Sequence, residues 1–219
     1  MRRGGASRCA NCTYVATWNH VTNVSSHQMD HLVCFVPGML ALGSQRRPAD
    51  DPHLGGFRPA SYDMMSLAED LMETCYRMYS EQPSGLAPEI ATFGAERVGA
   101  APSARHSLLR PEAVESLFIL WRLTGEQRYR EWGWRIFEAI EAHAKVDGGG
   151  YSSVADVTRA APTRSGKMES FFTAETLKYL YLLFGDDSAV PLDRYVFNTE
   201  AHPLEIHEEY RFGAAWGSQ

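Results

Sequence analysis

No apolar run in the 219-residue chain approaches the roughly 20 residues that a membrane-crossing helix needs. No membrane segment is therefore expected. Nor does a hydrophobic stretch follow Met1-Arg2-Arg3, so the chain as written is expected to lack both a secretory signal and an anchor. Basic charge is in deficit. Lys and Arg number 21 against 27 Asp and Glu, a formal net charge of -6, and no basic stripe stands out, so nucleic acid is not an expected partner. Cysteine is scarce: Cys9, Cys12, Cys34 and Cys75 are the four. The first two form a C-x-x-C, but without a second such pair the case for zinc is weak. Cys34 and Cys75 each lie in a helix-like apolar pattern. They read as two buried thiols or as a bridge, because spacing alone does not decide a pairing. A Ser-His-Asp order, a Gly-rich phosphate loop and an H-E-x-x-H are all missing, which removes three common chemistries.

What is present is an ordinary globular balance, 44% hydrophobic and 22% charged, enough for one domain or two small ones. Residues 1–28 are polar and without periodicity, and an irregular segment is expected there. Two triplets in that segment, Asn11-Cys12-Thr13 and Asn23-Val24-Ser25, would accept glycans only in a secreted context. From Met29 the pattern turns helical, with Leu32, Phe35, Val36, Met39 and Leu40 at steps of three and four. Asp30 suits the start of that helix, Pro37-Gly38 should kink it, and Gly43 should end it. Ser44 to Tyr62, with three Pro and two Gly, reads as a surface insertion. A second helix is expected over about 63–82, with Met64, Leu67, Ala68, Leu71, Cys75 and Met78 on one face. Pro111 opens a third, which ends near Thr124-Gly125. A fourth covers about 126–146 and a fifth about 168–184. Tyr151–Val154 and Tyr195–Thr199 look like short strands. Glu115-Ser116-Leu117-Phe118 recurs as Glu169-Ser170-Phe171-Phe172, each at the head of a very apolar helix that ends in Gly. Such repeated helical hairpins imply an all-α class, a layered solenoid or a closed toroid, with short β elements at loop ends.

The informative feature is acid on apolar helices. Glu175 shares a helical face with Phe171, Phe172, Tyr179 and Leu182. A buried glutamate needs a partner, a metal or water, and a structural ion pair with an Arg is one of the open readings. Glu112, at the first turn of the third helix beside Arg110-Pro111, should be held ionised by the helix dipole and the guanidinium. It reads either as an ordinary capping acid or as a base or nucleophile. Glu115 faces the same way. Thr199-Glu200 is a polar turn, or a hard-cation site if carboxylates gather around the threonine oxygens. His31 is a satisfied core histidine or a ligand.

Four ordered blocks carry a resemblance: Met29-Asp30-His31-Leu32-Val33-Cys34-Phe35, Leu109-Arg110-Pro111-Glu112-Ala113-Val114-Glu115-Ser116, Glu175-Thr176-Leu177-Lys178-Tyr179 and Val196-Phe197-Asn198-Thr199-Glu200-Ala201-His202-Pro203. Together they resemble glycoside hydrolase family 47, the class I α-1,2-mannosidases of the endoplasmic reticulum and Golgi. The resemblance implies a partial (α/α)7 barrel with short β-hairpin elements, covering residues 29–207 as the C-terminal half of the domain, with 208–219 as a tail. It implies an inverting, calcium-dependent hydrolase that trims high-mannose N-glycans in the lumen of the endoplasmic reticulum or Golgi. Glu112 matches the general base. His31, Arg110, Phe171 and Glu175 match residues around the mannose, with Phe171 stacking on the sugar. Thr199 matches the threonine whose hydroxyl and carbonyl oxygens bind calcium, while Glu115, Glu175 and Glu200 match acids that reach it through water. Cys34 and Cys75 match the disulfide. The family's general acid belongs to a first half that this chain does not match. The chain is accordingly expected to be truncated, poorly folded and inactive alone. A non-catalytic, mannosidase-like glycan-binding protein of glycoprotein quality control is the alternative.

Overall fold

The structure, a computed structural model, describes residues 12–45, 64–94 and 97–207. Most of the surface insertion read at Ser44–Tyr62 lies outside them, as do Cys9, Asn11 and the tail from 208.

Five α-helices carry the fold: α1 (Val36–Ser44), α2 (Met64–Ser80), α3 (Glu112–Thr124), α4 (Gln127–His143) and α5 (Leu177–Phe184). α3 packs between α1 and α5, α2 backs α1, and α4 packs behind α3 and α5. Seven short strands fill the connections. β1 (Trp18–Asn19) and β2 (Val24–Ser25) form a hairpin, β3 (Gln28–Asp30), β4 (Ile90–Phe93) and β5 (Val98–Ala100) an antiparallel sheet in that order, and β6 (Tyr195–Phe197) pairs with β7 (Pro203–Glu205). The sheet of β3, β4 and β5 was not expected, nor was the order found before residue 29. Cys12 and Tyr14 are buried, and Tyr14 stacks on Phe93 of β4 at 4.1 Å. Tertiary packing against the sheet supplies an order that the polar local sequence does not signal.

Helix ends follow their chemistry. Pro111 precedes α3, and Gly125 caps it in the left-handed conformation, with φ of 68° and its N–H bonded to the Trp121 carbonyl. The first helical stretch departs from expectation. It begins as a strand, tightens into a 3-10 turn at His31–Phe35 capped by the Asp30 carboxylate, and becomes α-helical only where Pro37 takes a first-turn position. The apolar face read from the sequence is also not the buried one. Leu32, Phe35 and Met39 are about half exposed, whereas His31, Cys34, Gly38 and Ala41 face inward. A close approach decides this. The Gly38 N–H donates to Ser116 Oγ at 2.9 Å, and a β-carbon on Gly38 would stand 3.3 Å from the Ser116 Cα. Ser116 Oγ in turn donates to the Cys34 carbonyl at 2.6 Å, so one buried serine ties the 3-10 turn and α1 to α3. Cys34 and Cys75 form a disulfide, which pins the same turn to α2. The strand expected at Tyr151–Val154 is reduced to isolated bridges, from Tyr151 to Lys145 and from Val154 to Ser107 and Arg164.

Candidate active site

Three segments converge at the N-terminal end of α3. The 3-10 turn brings His31, the loop ahead of α3 brings Arg110, and α3 itself brings Glu112 and Glu115. Glu112 Oε2 lies 2.9 Å from His31 Nδ1, and the other ring nitrogen, Nε2, lies 2.6 Å from the Tyr79 hydroxyl. His31 is therefore both buried and fully bonded, and it meets the site by way of Glu112. Burial pushes the Glu112 carboxyl up. The hydrogen bond from the His31 ring and the ring's electrostatics, its own helix N–H and the Arg110 charge together outweigh that and hold it below its ordinary value. The expected ionised state is thus found, but with a different principal partner. The Arg110 guanidinium binds Glu89, Nε to Oε2 at 2.6 Å, while Glu89 Oε1 accepts the Leu108 N–H at 3.0 Å.

The loop that presents Arg110 turns through Leu109, whose φ is 62° although it carries a side chain. Such a backbone persists only when its surroundings hold it. Here the buried Thr176 hydroxyl donates to the Leu109 carbonyl at 2.7 Å. Thr176 closes a wide, π-helical turn, Phe172–Thr176, that leads into α5. The extra residue in that turn rotates the helix, so the single face read from the sequence splits. Phe172, Tyr179 and Leu182 are buried, Met168 is 45% exposed, and Phe171 and Glu175 are half-buried at the edge. Arg110 lies over the Phe171 ring, 5.5 Å from its centre. Glu175 has no Arg within ion-pair range among the described residues, so the structural ion pair is not what holds it. Desolvation and the charges of Glu112 and Glu200 raise its carboxyl, with Lys178 opposing. Glu115 is pushed up to about 7 by burial and by Glu112 and Glu175, against a hydrogen bond from the Tyr179 hydroxyl at 3.3 Å.

Thr199 and Glu200 lie on the exposed turn between β6 and β7. The Asn198 carboxamide oxygen shapes that turn by accepting the Glu200 and His202 N–H groups. Lys178 anchors it to α5 by donating to the Ala201 carbonyl at 2.9 Å. Neither oxygen of Thr199 accepts or gives a hydrogen bond among the described residues, and no three acids or histidines there sit close enough to ligate a metal directly. Near the turn, Glu175 is raised by burial and by Glu112 and Glu200, and Glu115 by burial and by Glu112 and Glu175, a carboxylate cluster of the donor chemistry that suits a hard cation. Glu89 and Tyr79 were not read from the sequence, and Thr176, Lys178 and Tyr179 stood in a resembling block without an assigned role. Of the first two, Tyr79 carried a signal, one turn beyond Cys75 on the buried stripe of α2.

The family model for glycosyl hydrolase family 47 matches residues 2–206. The chain belongs to that family. It is 51% identical to mannosyl-oligosaccharide 1,2-alpha-mannosidase MNS3 of Arabidopsis thaliana over 83% of this chain and 32% of the relative. It is 50% identical to the endoplasmic reticulum mannosyl-oligosaccharide 1,2-alpha-mannosidase of Homo sapiens, over 83% of this chain and 25% of that one. An alpha-1,2-mannosidase from Trichoderma reesei superposes with a TM-score of 0.75 at 30% identity, over 92% of this chain and 44% of its own. The fold is therefore part of an α/α barrel, and the chain spans a quarter to a third of the length of these curated relatives.

Proposed function

We propose that this chain carries the base side of an α-1,2-mannosidase active site acting on high-mannose N-glycans. The observation that supports the reading is Glu112, a largely buried carboxylate held ionised at the head of α3 beside Arg110 and Phe171. An ionised carboxylate accepts a proton from water as the water oxygen attacks the anomeric carbon and the bond to the leaving oxygen breaks. That leaving oxygen takes its proton from a second acid, which the resemblance assigns to a part of the domain outside the matched stretch. Phe171 offers an apolar face to one side of a sugar ring. Arg110, fixed by Glu89, presents its remaining N–H groups as hydroxyl donors. Thr199, with Glu115, Glu175 and Glu200 reaching through water, fits calcium. When bound, the ion would supply a fixed positive charge that orders sugar hydroxyls and water. The human relative is named for the endoplasmic reticulum, which supports reading the whole protein as one of that compartment or of the Golgi, the other compartment of the resemblance.

The test is the full-length protein with Glu112→Gln. Loss of a positioned base should slow mannose release from a high-mannose glycan by about 100- to 10,000-fold, with glycan binding retained. Release at the unaltered rate would remove Glu112 from the chemistry. Binding with no trimming by the unaltered full-length protein would favour a glycan-binding role. The 219-residue chain alone should release no mannose.

A further inference from the structure

Tyr79 lies on α2, outside the four blocks that carry the resemblance, and is 5% exposed. Among the described residues its hydroxyl has one partner, His31 Nε2 at 2.6 Å, and the two rings meet edge to face at 5.7 Å. A buried hydroxyl proton left without an acceptor costs about 1–3 kcal/mol, so this proton belongs on that bond. Burial, followed by the Glu112 and Glu89 charges, drives the phenol's proton affinity up, and it stays a donor at any pH the fold survives. If Tyr79 donates, Nε2 accepts, and the neutral ring then carries its own proton on Nδ1. Nδ1–H points at Glu112 Oε2, 2.9 Å away, and Glu112 is 13% exposed. The chain of donation runs in one direction, from Tyr79 to His31 to Glu112.

We propose that Tyr79 is a positioning residue for the base: it locks His31 in the Nδ1–H tautomer, so that the ring donates to one Glu112 oxygen and leaves the other to water. The proposal rests on Glu112 being the base, but the tautomer is measurable whether or not it is. The covalent frame supports the same arrangement. Cys34 is three residues beyond His31, Cys75 is four residues before Tyr79, and the disulfide between them clamps the 3-10 turn and α2 one turn from the contact. The flipped tautomer would put Nε2–H against a hydroxyl that has no other acceptor, and would turn a bare nitrogen toward a carboxylate. The Tyr79 oxygen would then accept from the ring, the phenol proton would be left without an acceptor, and the contact with Glu112 would be repulsive.

Long-range 1H–15N correlation spectra of the folded chain at neutral pH test this directly. One pyrrole-type Nδ1 and one pyridine-type, hydrogen-bonded Nε2 are expected for His31. In Tyr79→Phe, which keeps the ring volume, the Nε2 signal should move to its unbonded position and the Nε2–H tautomer should appear. Tyr76→Phe, one turn earlier on α2 and stacked on Trp132, should leave both signals in place. A protonated Nε2 in the unaltered protein, with or without a proton on Nδ1, overturns the proposal. So does a Tyr79→Phe spectrum identical to the parent's. Should Tyr79→Phe fail to fold, the parent spectrum alone decides. If the tautomer is as stated but Glu112→Gln keeps full activity in the full-length protein, the base assignment fails and the hydrogen-bond order stands.

Discussion

Three helices lie side by side in this molecule, and the middle one differs from its two neighbours in a way their sequences do not announce. α3 buries Ala113, Val114, Ser116, Leu117, Phe118, Ile119 and Leu120, every residue from its second to its ninth position except Glu115. On the outer side of α1, Leu32, Phe35 and Met39 stand about half in water, and on α5 Tyr181 is 71% exposed. Tyr181 also borders a groove of about 350 Å³ shared with Trp134, Phe137, Leu177, Leu180 and Phe184. Residue type is much the same in all three helices. What differs is how many neighbours cover each helix: α3 meets α1, α2, α4 and α5, whereas α1 meets α2 and α3, and α5 meets α3 and α4. Apolar content therefore reports what a helix is built to bury, and only packing reports what it does bury.

The largest effect should come from the middle helix. Phe118 is fully buried and touches Tyr179 of α5, Phe197 of β6 and the Arg122 guanidinium. Phe118→Ala should lower the unfolding free energy in urea by about 3–5 kcal/mol, the range for an aromatic removed from a closed core. A loss below about 1 kcal/mol would mean that the site collapses, and that α3 is no more tightly enclosed than its neighbours.

A smaller effect separates the two carboxylates of α3 by pH. Glu115 has a folded value raised to about 7, so the folded state binds its proton more tightly than the unfolded state does. Its contribution is complete below its ordinary value near 4.5 and is lost as pH climbs through about 7. Glu112 is depressed, so its contribution is present above 4.5 and is lost as pH falls through its lowered value. Without calcium, stability should therefore peak near the shared ordinary value and decline to either side. Glu115→Gln should flatten the alkaline limb, which chemical denaturation across pH 4 to 8 would read, and leave the acid limb intact. An alkaline limb unchanged by the substitution would assign the decline to another group.

How much of this was legible divides along the same line. The all-α class, four of the five helices and their ends at Gly125 and near Ser80 follow from periodicity and capping residues, because those signals are local. The first helix was misread, since its buried side is chosen by Gly38 and Ser116, two small residues 78 positions apart in the chain. Of the site, the resemblance named Glu112, Arg110, Phe171 and Thr199. The groups that hold them, Tyr79, Glu89 and Thr176, were given no role. A single polar residue in a helix or loop has no period, and its partner is 48, 21 or 67 positions away. The sheet from Gln28 to Ala100 was missed for a similar reason, its strands being three or four residues long and paired across α2.

The smallest effect belongs to the flanks, and it sharpens the comparison most. If Tyr181 and Met39 stand as far in water in the folded chain as they do in the structure, replacing either by Ser removes little buried contact, least for Tyr181. The unfolding free energy should then change by no more than about 0.5 kcal/mol. Tyr181 is the stricter probe, because it is the more exposed and lies beside the apolar groove. A cost comparable to that of Phe118→Ala would mean that the flank is covered in solution. Repeating the melt at tenfold different protein concentrations then identifies the cover. A midpoint that rises with concentration in the parent and not in Tyr181→Ser assigns it to a second copy, because only association makes stability depend on concentration. A midpoint independent of concentration, with Tyr181→Ser near neutral, leaves α3 as the one enclosed helix of the three.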